Sequence, residues 1–395
     1  MTLTDKIKLA FPYVLLVAYG LFTCGYFFLS DYADHYRLYS RFVFIFGIFA
    51  FLPGLRGVWP QPLFKLVLLY MAYLLLSGFW AQDFEWFRLG QKTSISGYLL
   101  NFIAITWVLV QWNPRLFENM LRLSVLVAGI AATLSIIVFY QSNELSGPRM
   151  TGVGSLTNVN EFSNVYGVFA LLGLGFALRT QSTTLRLGMA GAILAFITFA
   201  WFGQSRTAFV TMLFSLPILL GLNLKRRRLV PLGIASLIAL GGVLLLMFPE
   251  PIAEALERGA GLRPGIWAGV WQQISTLPLT GHGLTSTLSV TSGKEHFETA
   301  HNAYLQVLWH GGVIGLLVFG LLFAGAFRTA WIRGCDTGDY TIFCIFLFTA
   351  GIMLTGVDTL IERPRDQWLL FWQPLALLLA YGSHWTRTTT ELESR

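Results

Sequence analysis

Three residues combine reactive side chains with unusual placement. Arg206 lies in Gly203-Gln204-Ser205-Arg206-Thr207-Ala208, a turn so tight that the apolar runs on either side nearly meet. An arginine there costs a few kcal/mol if it faces lipid, so it should face a polar cavity or an anion. Its planar fork suits phosphate. Snorkelling to the interface, or pairing with Glu161, is the structural alternative. Arg263 lies in Gly261-Leu262-Arg263-Pro264-Gly265-Ile266-Trp267, where Pro264 can open a helix. An anion held by Arg263 would then sit near free amide N–H groups. His301 lies in Thr299-Ala300-His301-Asn302, just before an apolar run, where a neutral imidazole can take a proton from a hydroxyl. Asn302 can cap the helix that follows or orient a ligand. Arg149 precedes a glycine-containing stretch ending Asn158-Val159-Asn160-Glu161-Phe162. Asn160 and Glu161 can bind sugar hydroxyls or cap the next helix.

These residues are set in an unusually apolar chain. Of its 395 residues, 55% are hydrophobic and 12% charged, about half the charge of a soluble domain. Disorder, collagen and a disulfide scaffold are excluded. Cys24, Cys335 and Cys344 show no metal spacing. Apolar segments fall near 10–29, 42–59, 63–80, 95–112, 119–140, 162–178, 187–203, 206–222, 229–248, 303–327, 340–358 and 367–384. The expected fold is all-α: a polytopic transmembrane helical bundle of about twelve spans. The first run is read as a span, since Asp31-Tyr32-Ala33-Asp34 offers no cleavage site.

With both termini cytoplasmic, most of the 27 basic residues fall inside, including Lys225-Arg226-Arg227-Arg228. Topology thus accounts for the net charge of +7, and no nucleic-acid partner is implied. Residues 249–302 form a long outer connection between the ninth and tenth spans, expected to be a helical periplasmic subdomain within one membrane domain of residues 1–395. Helices are expected at 252–258 and around 266–274. Trp267 and Trp271, one turn apart, should lie at the lipid headgroup level.

Outer basic residues oppose the positive-inside bias. Besides Arg149, Arg206 and Arg263 they include Arg88, Lys92, Arg363 and Arg365. Glu161, Glu298 and Asp358 are alternative bases to His301. His310, inside the tenth span, should bond another helix. Glu295, His296, Glu298 and His301 lack a standard zinc spacing, so no metal is expected. Nucleotide-binding and serine-hydrolase motifs are missing, and no cofactor is implied.

Four segments, in order, resemble the O-antigen ligase and O-antigen polymerase superfamily of bacterial inner-membrane glycosyltransferases. They are Arg149…Gly152…Asn158-Val159-Asn160-Glu161-Phe162; Ser205-Arg206; Arg263-x-x-x-Trp267 with Pro278-x-x-Gly281-x-Gly283; and His301-Asn302-x-x-Leu305-Gln306…Gly311-Gly312-x-x-Gly315. The family more often has an acidic or small residue where His310 stands. The size and the late long loop resemble the lipopolysaccharide ligases most closely. The resemblance implies transfer of O-antigen from undecaprenyl diphosphate to lipid A–core at the periplasmic face of the inner membrane. The reaction would invert the anomeric carbon and need no metal. Arg206, Arg263 and His301 would be catalytic, and Arg149, Asn160, Glu161, Asn302 and Trp267 would bind substrate. An O-antigen polymerase or a protein oligosaccharyltransferase would use similar residues. A lipid-linked glycan transporter would instead place charges deep in several spans.

Overall fold

A computed structural model describes residues 3–142, 150, 152–156, 158–225 and 261–382. Arg149, Arg226 to Arg228, the expected span at 229–248 and the expected helix at 252–258 lie outside the described residues.

The protein is a helical bundle of the polytopic membrane type. Among the described residues, nine helices are long and apolar enough to cross a membrane. In chain order α1 is Leu3–Phe28, α2 Tyr32–Val58, α3 Pro62–Ser77, α4 Trp86–Trp112, α5 Pro114–Ser142, α6 Val159–Arg179, α7 Thr183–Phe202 and α8 Arg206–Asn223. The short α9, Arg263–Ile274, precedes a hairpin of β1, Val290–Ser292, and β2, Glu295–Phe297. Then come α10, Ala303–Thr337, α11, Thr341–Ile352, and α12, Trp368–Tyr381.

Apolar side chains such as Phe49, Leu187, Leu194 and Leu317 point outward, as a lipid-facing surface requires. Lipid supplies no hydrophobic drive between helices, so close packing must hold them. Gly54 abuts the Ala104 backbone, and Gly129 abuts Ala192; a Cβ on either glycine would collide. The post of the bundle is α6. Its apolar stretch is 89% buried, against 28% to 61% for the other candidate spans. The helix starts at Asn158, whose Oδ1 accepts the Asn160 and Glu161 N–H groups.

Two backbone breaks shape the end where α6, α8 and α10 begin. One lies inside α10, where Gly312 has φ 62° and ψ −165°. There Gly281 packs on the backbone of His310 and Gly312 with no room for a Cβ. The Trp309 and His310 carbonyls accept the N–H groups of His282 and Gly283, each at 2.8 Å. The two glycine motifs thus form one backbone clasp, tying the loop after α9 to α10. His310 joins it by donating Nδ1–H to the Gly283 carbonyl at 2.9 Å. That bond goes to the loop, not to another helix as the sequence suggested.

The second break follows α11. The apolar run at 340–358 is helical over twelve residues, Thr341–Ile352, about 18 Å at 1.5 Å per residue. That falls short of the roughly 30 Å hydrocarbon core. Residues 353–365 are non-helical and bring Asp358, Glu362, Arg363 and Arg365 into the bundle end. Gly351 and Gly356 weaken the helix, and the polar residues then end the apolar run. Non-helical backbone within a membrane domain is tolerated where protein or a polar cavity covers it. This segment borders two clefts.

Candidate functional site

The first cleft, ≈ 110 Å³, is lined by Asn160, Asn164, Arg206, Thr207, Arg263, Thr355 and Gly356, among others. Three helices begin at it: α6 contributes Asn160, α8 opens with Arg206, and α9 opens with Arg263. Asn158 caps the first N–H groups of α6, whereas α8 and α9 begin without a side-chain cap and present the positive end of the dipole with their first N–H groups. The two guanidinium groups add full charges to this field. Arg206 is exposed, so it can meet an incoming ligand. Arg263 donates from Nη2 to the Thr355 carbonyl at 2.9 Å. Burial, then the nearby Arg206, lower its pKa below the ordinary value, while Asp358 opposes them. An anion in this cleft would relieve the disfavoured charge of Arg263.

His301 meets Asp358, on the segment that carries Thr355 and Gly356 of the cleft wall. Its Nδ1 lies 3.2 Å from Asp358 Oδ1 and 3.5 Å from Thr299 Oγ1. The imidazole side chain is 42% exposed and so open to a ligand. Asp358 Oδ1 is buried and accepts no hydrogen bond in this geometry; a proton on Nδ1 would offer it a partner and leave Nε2 as the proton acceptor. The approach to His301 is firmly held. Trp267 Nε1 donates to the Ala300 carbonyl at 3.0 Å, and Gln306 Oε1 accepts the Ala300 N–H at 2.9 Å. His301 itself has φ 45°, and Gln204, two residues before Arg206, has φ 53°. Such conformations cost non-glycine residues about 1–3 kcal/mol and persist where surroundings impose them.

The remaining sequence candidates sort by contact. Asn302 caps α10, its Oδ1 accepting the Tyr304 and Leu305 N–H groups at 3.0 and 3.1 Å. Asn158 takes the capping role at α6, which leaves the Asn160 side chain to line the cleft. Glu161 is buried and ion-paired with Arg365; it also accepts from Asn158 Nδ2 at 3.0 Å. Trp267 is half-buried, whereas Trp271 is exposed. His296, paired with Thr291 across the hairpin, is exposed. Arg149 lies outside the described residues.

The sequence had not paired Asp358 with His301, nor Arg365 with Glu161. The available signal was their position: acids and arginines interrupting two apolar runs that each looked like a span. Asp366, beside them, is buried. Burial and then Glu161 raise its carboxyl well above the usual range, against Arg365 and the Asn164 amide at 3.5 Å. Arg365 shows the reverse balance: burial would lower it, but Glu161 and Asp366 hold it above its ordinary value.

The second cleft is larger, ≈ 540 Å³, and includes Thr287, Thr299, Gln306, Thr359, Arg363 and Arg365 in its lining. Lys92 Nζ meets Glu362 Oε2 at 2.7 Å there, and Arg88 Nη1 donates to Thr287 Oγ1 at 2.7 Å. Burial would raise the Glu362 pKa, but Lys92 and the Arg363 N–H hold it below the usual range. Segment 353–365 connects the clefts: Thr355 and Gly356 line the first, Thr359 and Glu362 the second, and Asp358 stands between.

Comparison with known proteins agrees with this arrangement. Residues 190–320 match the family model described as O-antigen ligase. That stretch contains Arg206, Arg263 and His301. Over 384 residues the chain is 29% identical to the O-antigen ligase of Pseudomonas aeruginosa, covering 95% of this chain and 92% of that protein. In full-length similarity, in the matched region and in its polytopic helical fold, the chain is similar to the O-antigen ligase superfamily.

Proposed function

We propose that the protein is a glycosyltransferase that moves O-antigen from undecaprenyl diphosphate to a sugar hydroxyl of lipid A–core, at the periplasmic face of the bacterial inner membrane. The observation that carries this reading is the meeting of Arg206 and Arg263 at helix starts, in the same bundle end as the His301–Asp358 pair. The named relative supports the substrate class.

The residues divide the work as follows. Arg206, Arg263 and the helix-start N–H groups hold the donor diphosphate and stabilise the negative charge that grows on it as it leaves. His301 Nε2 takes the acceptor hydroxyl proton. The acceptor oxygen forms its bond to the anomeric carbon as the carbon–oxygen bond to the diphosphate breaks, and the diphosphate departs with that electron pair. One displacement inverts the anomeric carbon. Asp358 orients the imidazole and stabilises the imidazolium that forms. The donor is already activated, so the step draws on no nucleotide, and the two arginines supply the positive charge a divalent metal would otherwise bring.

The orientation is part of the same proposal. Arg115, Arg179, Arg186, Arg328 and Arg333 stand near helix ends away from the site, at α5, α6, α7 and α10. Their clustering favours that end as cytoplasmic.

The test is reconstitution of purified protein with undecaprenyl-diphosphate-linked glycan and lipid A–core, without nucleotide or added metal. Glycan on lipid A–core is the expected product. Longer glycan still on undecaprenyl diphosphate would make the protein a polymerase. No transfer with a competent donor would move weight to a transporter.

A further inference from the structure

We propose that the larger cleft is the acceptor subsite, binding the hydroxyl-rich saccharide of the acceptor glycolipid beside His301. This rests on the glycosyl-transfer reading above.

In an inverting displacement the attacking oxygen and the leaving oxygen lie on opposite sides of the anomeric carbon. With the diphosphate held between Arg206 and Arg263, the acceptor must approach from the other side of the reaction centre and still reach the base. The larger cleft adjoins the base along the chain. Thr299, two residues before His301, and Thr359, next to Asp358, lie in its wall. The proposal therefore places the attacking hydroxyl at this wall, apart from the residues that line the diphosphate cleft.

Size and chemistry agree. The smaller cleft, ≈ 110 Å³, suits a compact anionic group. The larger, ≈ 540 Å³, falls within the range of about 300–1,000 Å³ typical of small-molecule sites. Its wall carries four basic residues, Arg88, Lys92, Arg363 and Arg365, and two acidic ones, Glu298 and Glu362. Lys92 faces Glu362 at 2.7 Å, and Arg88 is committed to Thr287 and, at 3.1 Å, to Glu85. Arg365 pairs with Glu161, so the groups of the wall are largely held in place. They offer carboxylate and hydroxyl acceptors beside ammonium and guanidinium donors, the complement of a polyol whose hydroxyls both donate and accept. The Lys92–Glu362 pair keeps the carboxylate ionised and in place for that purpose.

The experiment is steady-state kinetics on the full-length protein in lipid nanodiscs, titrating donor and lipid A–core separately. Thr287→Val and Glu362→Gln are each expected to raise the acceptor KM about tenfold, equivalent to one lost polar contact. Donor KM and kcat at saturating acceptor should stay near wild type. A rise in donor KM with acceptor KM unchanged would overturn the proposal and give the cleft to the donor glycan. Unchanged values for both substrates would overturn it as well. Should either variant fail to fold, soluble core oligosaccharide binding to His301→Ala, with and without the conservative Thr287→Ser, provides the readout: no saturable binding sinks the proposal. Absence of transfer by wild type to lipid A–core would defeat the underlying reading too, whereas active wild type with unaffected variants defeats the subsite alone.

Discussion

The two ends of the bundle both gather arginines, and they use them differently. Away from the site, Arg179 pairs with Asp339 and lies 3.7 Å from Glu118, while Arg122 meets Glu118 at 2.6 Å. Burial would raise the Asp339 pKa, but Arg179, Thr341 and Arg333 hold it low. Arg179 of α6 reaches counter-charges on α5 and in the turn before α11, and Arg122 meets Glu118 within α5. At the site end, Arg263 instead has its charge disfavoured by burial and by Arg206. Matched charge fastens helices together. Like charge held at helix starts is costly to the fold, and an anionic ligand relieves the cost.

The sharpest way to break this contrast is to remove the base. His301→Ala is expected to lower turnover about 10²–10⁴-fold while the protein stays folded; near-normal turnover in a monodisperse sample would end the role. Next come the facing arginines. Arg206→Met should cost about 10²–10³-fold in turnover, as loss of a charge-stabilising donor does, without lowering the melting temperature. Arg206→Lys should recover part of that loss, because it keeps the charge and lacks the fork. The opposite end should invert the pattern. Arg179→Met is expected to cost about 1–3 kcal/mol of stability, since it breaks a part-buried pair that solvent partly screens, with turnover little changed. A thermal melt beside an activity assay separates the two.

Asp358→Asn tests the coupling between the clefts. It should lower turnover about 10- to 100-fold, less than loss of the base itself. Acceptor and donor KM should hold, which a general loosening of segment 353–365 would not allow.

Much of this was legible in the sequence because outer arginines are anomalous in a chain that otherwise obeys the positive-inside bias. Arg206 and Arg263 stood out on that ground, and His301 through its place before an apolar run. The partners were not legible. His301 and Asp358 are brought together by a break in an apolar run that hydropathy averages into one span. Glu161 finds Arg365 from more than half the chain's length away, and no local pattern encodes that pairing. The choice between Asn158 and Asn160 as cap depended on where α6 begins, which pattern alone fixes only to within a few residues. The backbone clasp was visible as glycines at Gly281, Gly283, Gly311 and Gly312, and their mutual contact emerged in three dimensions.

The smallest effect expected concerns Asp366. Its carboxyl keeps a proton in the folded protein that the unfolded chain releases at about pH 4, since burial and then Glu161 raise it. The folded state therefore binds more protons, and stability falls as pH rises from that point. Asp366→Asn removes the dependence, so its melting temperature relative to wild type should be higher at pH 8 than at pH 5. An equal offset at both values would show that Asp366 is already ionised.

The central claim is that the facing arginines take the donor diphosphate, and binding of undecaprenyl diphosphate to purified protein tests it most directly. Wild type and Arg179→Met should bind with similar affinity, and the Arg206→Met, Arg263→Met double variant should lose binding by about 100-fold or more. Equal affinity in all three, with each protein folded, would contradict the account and move the diphosphate away from this cleft.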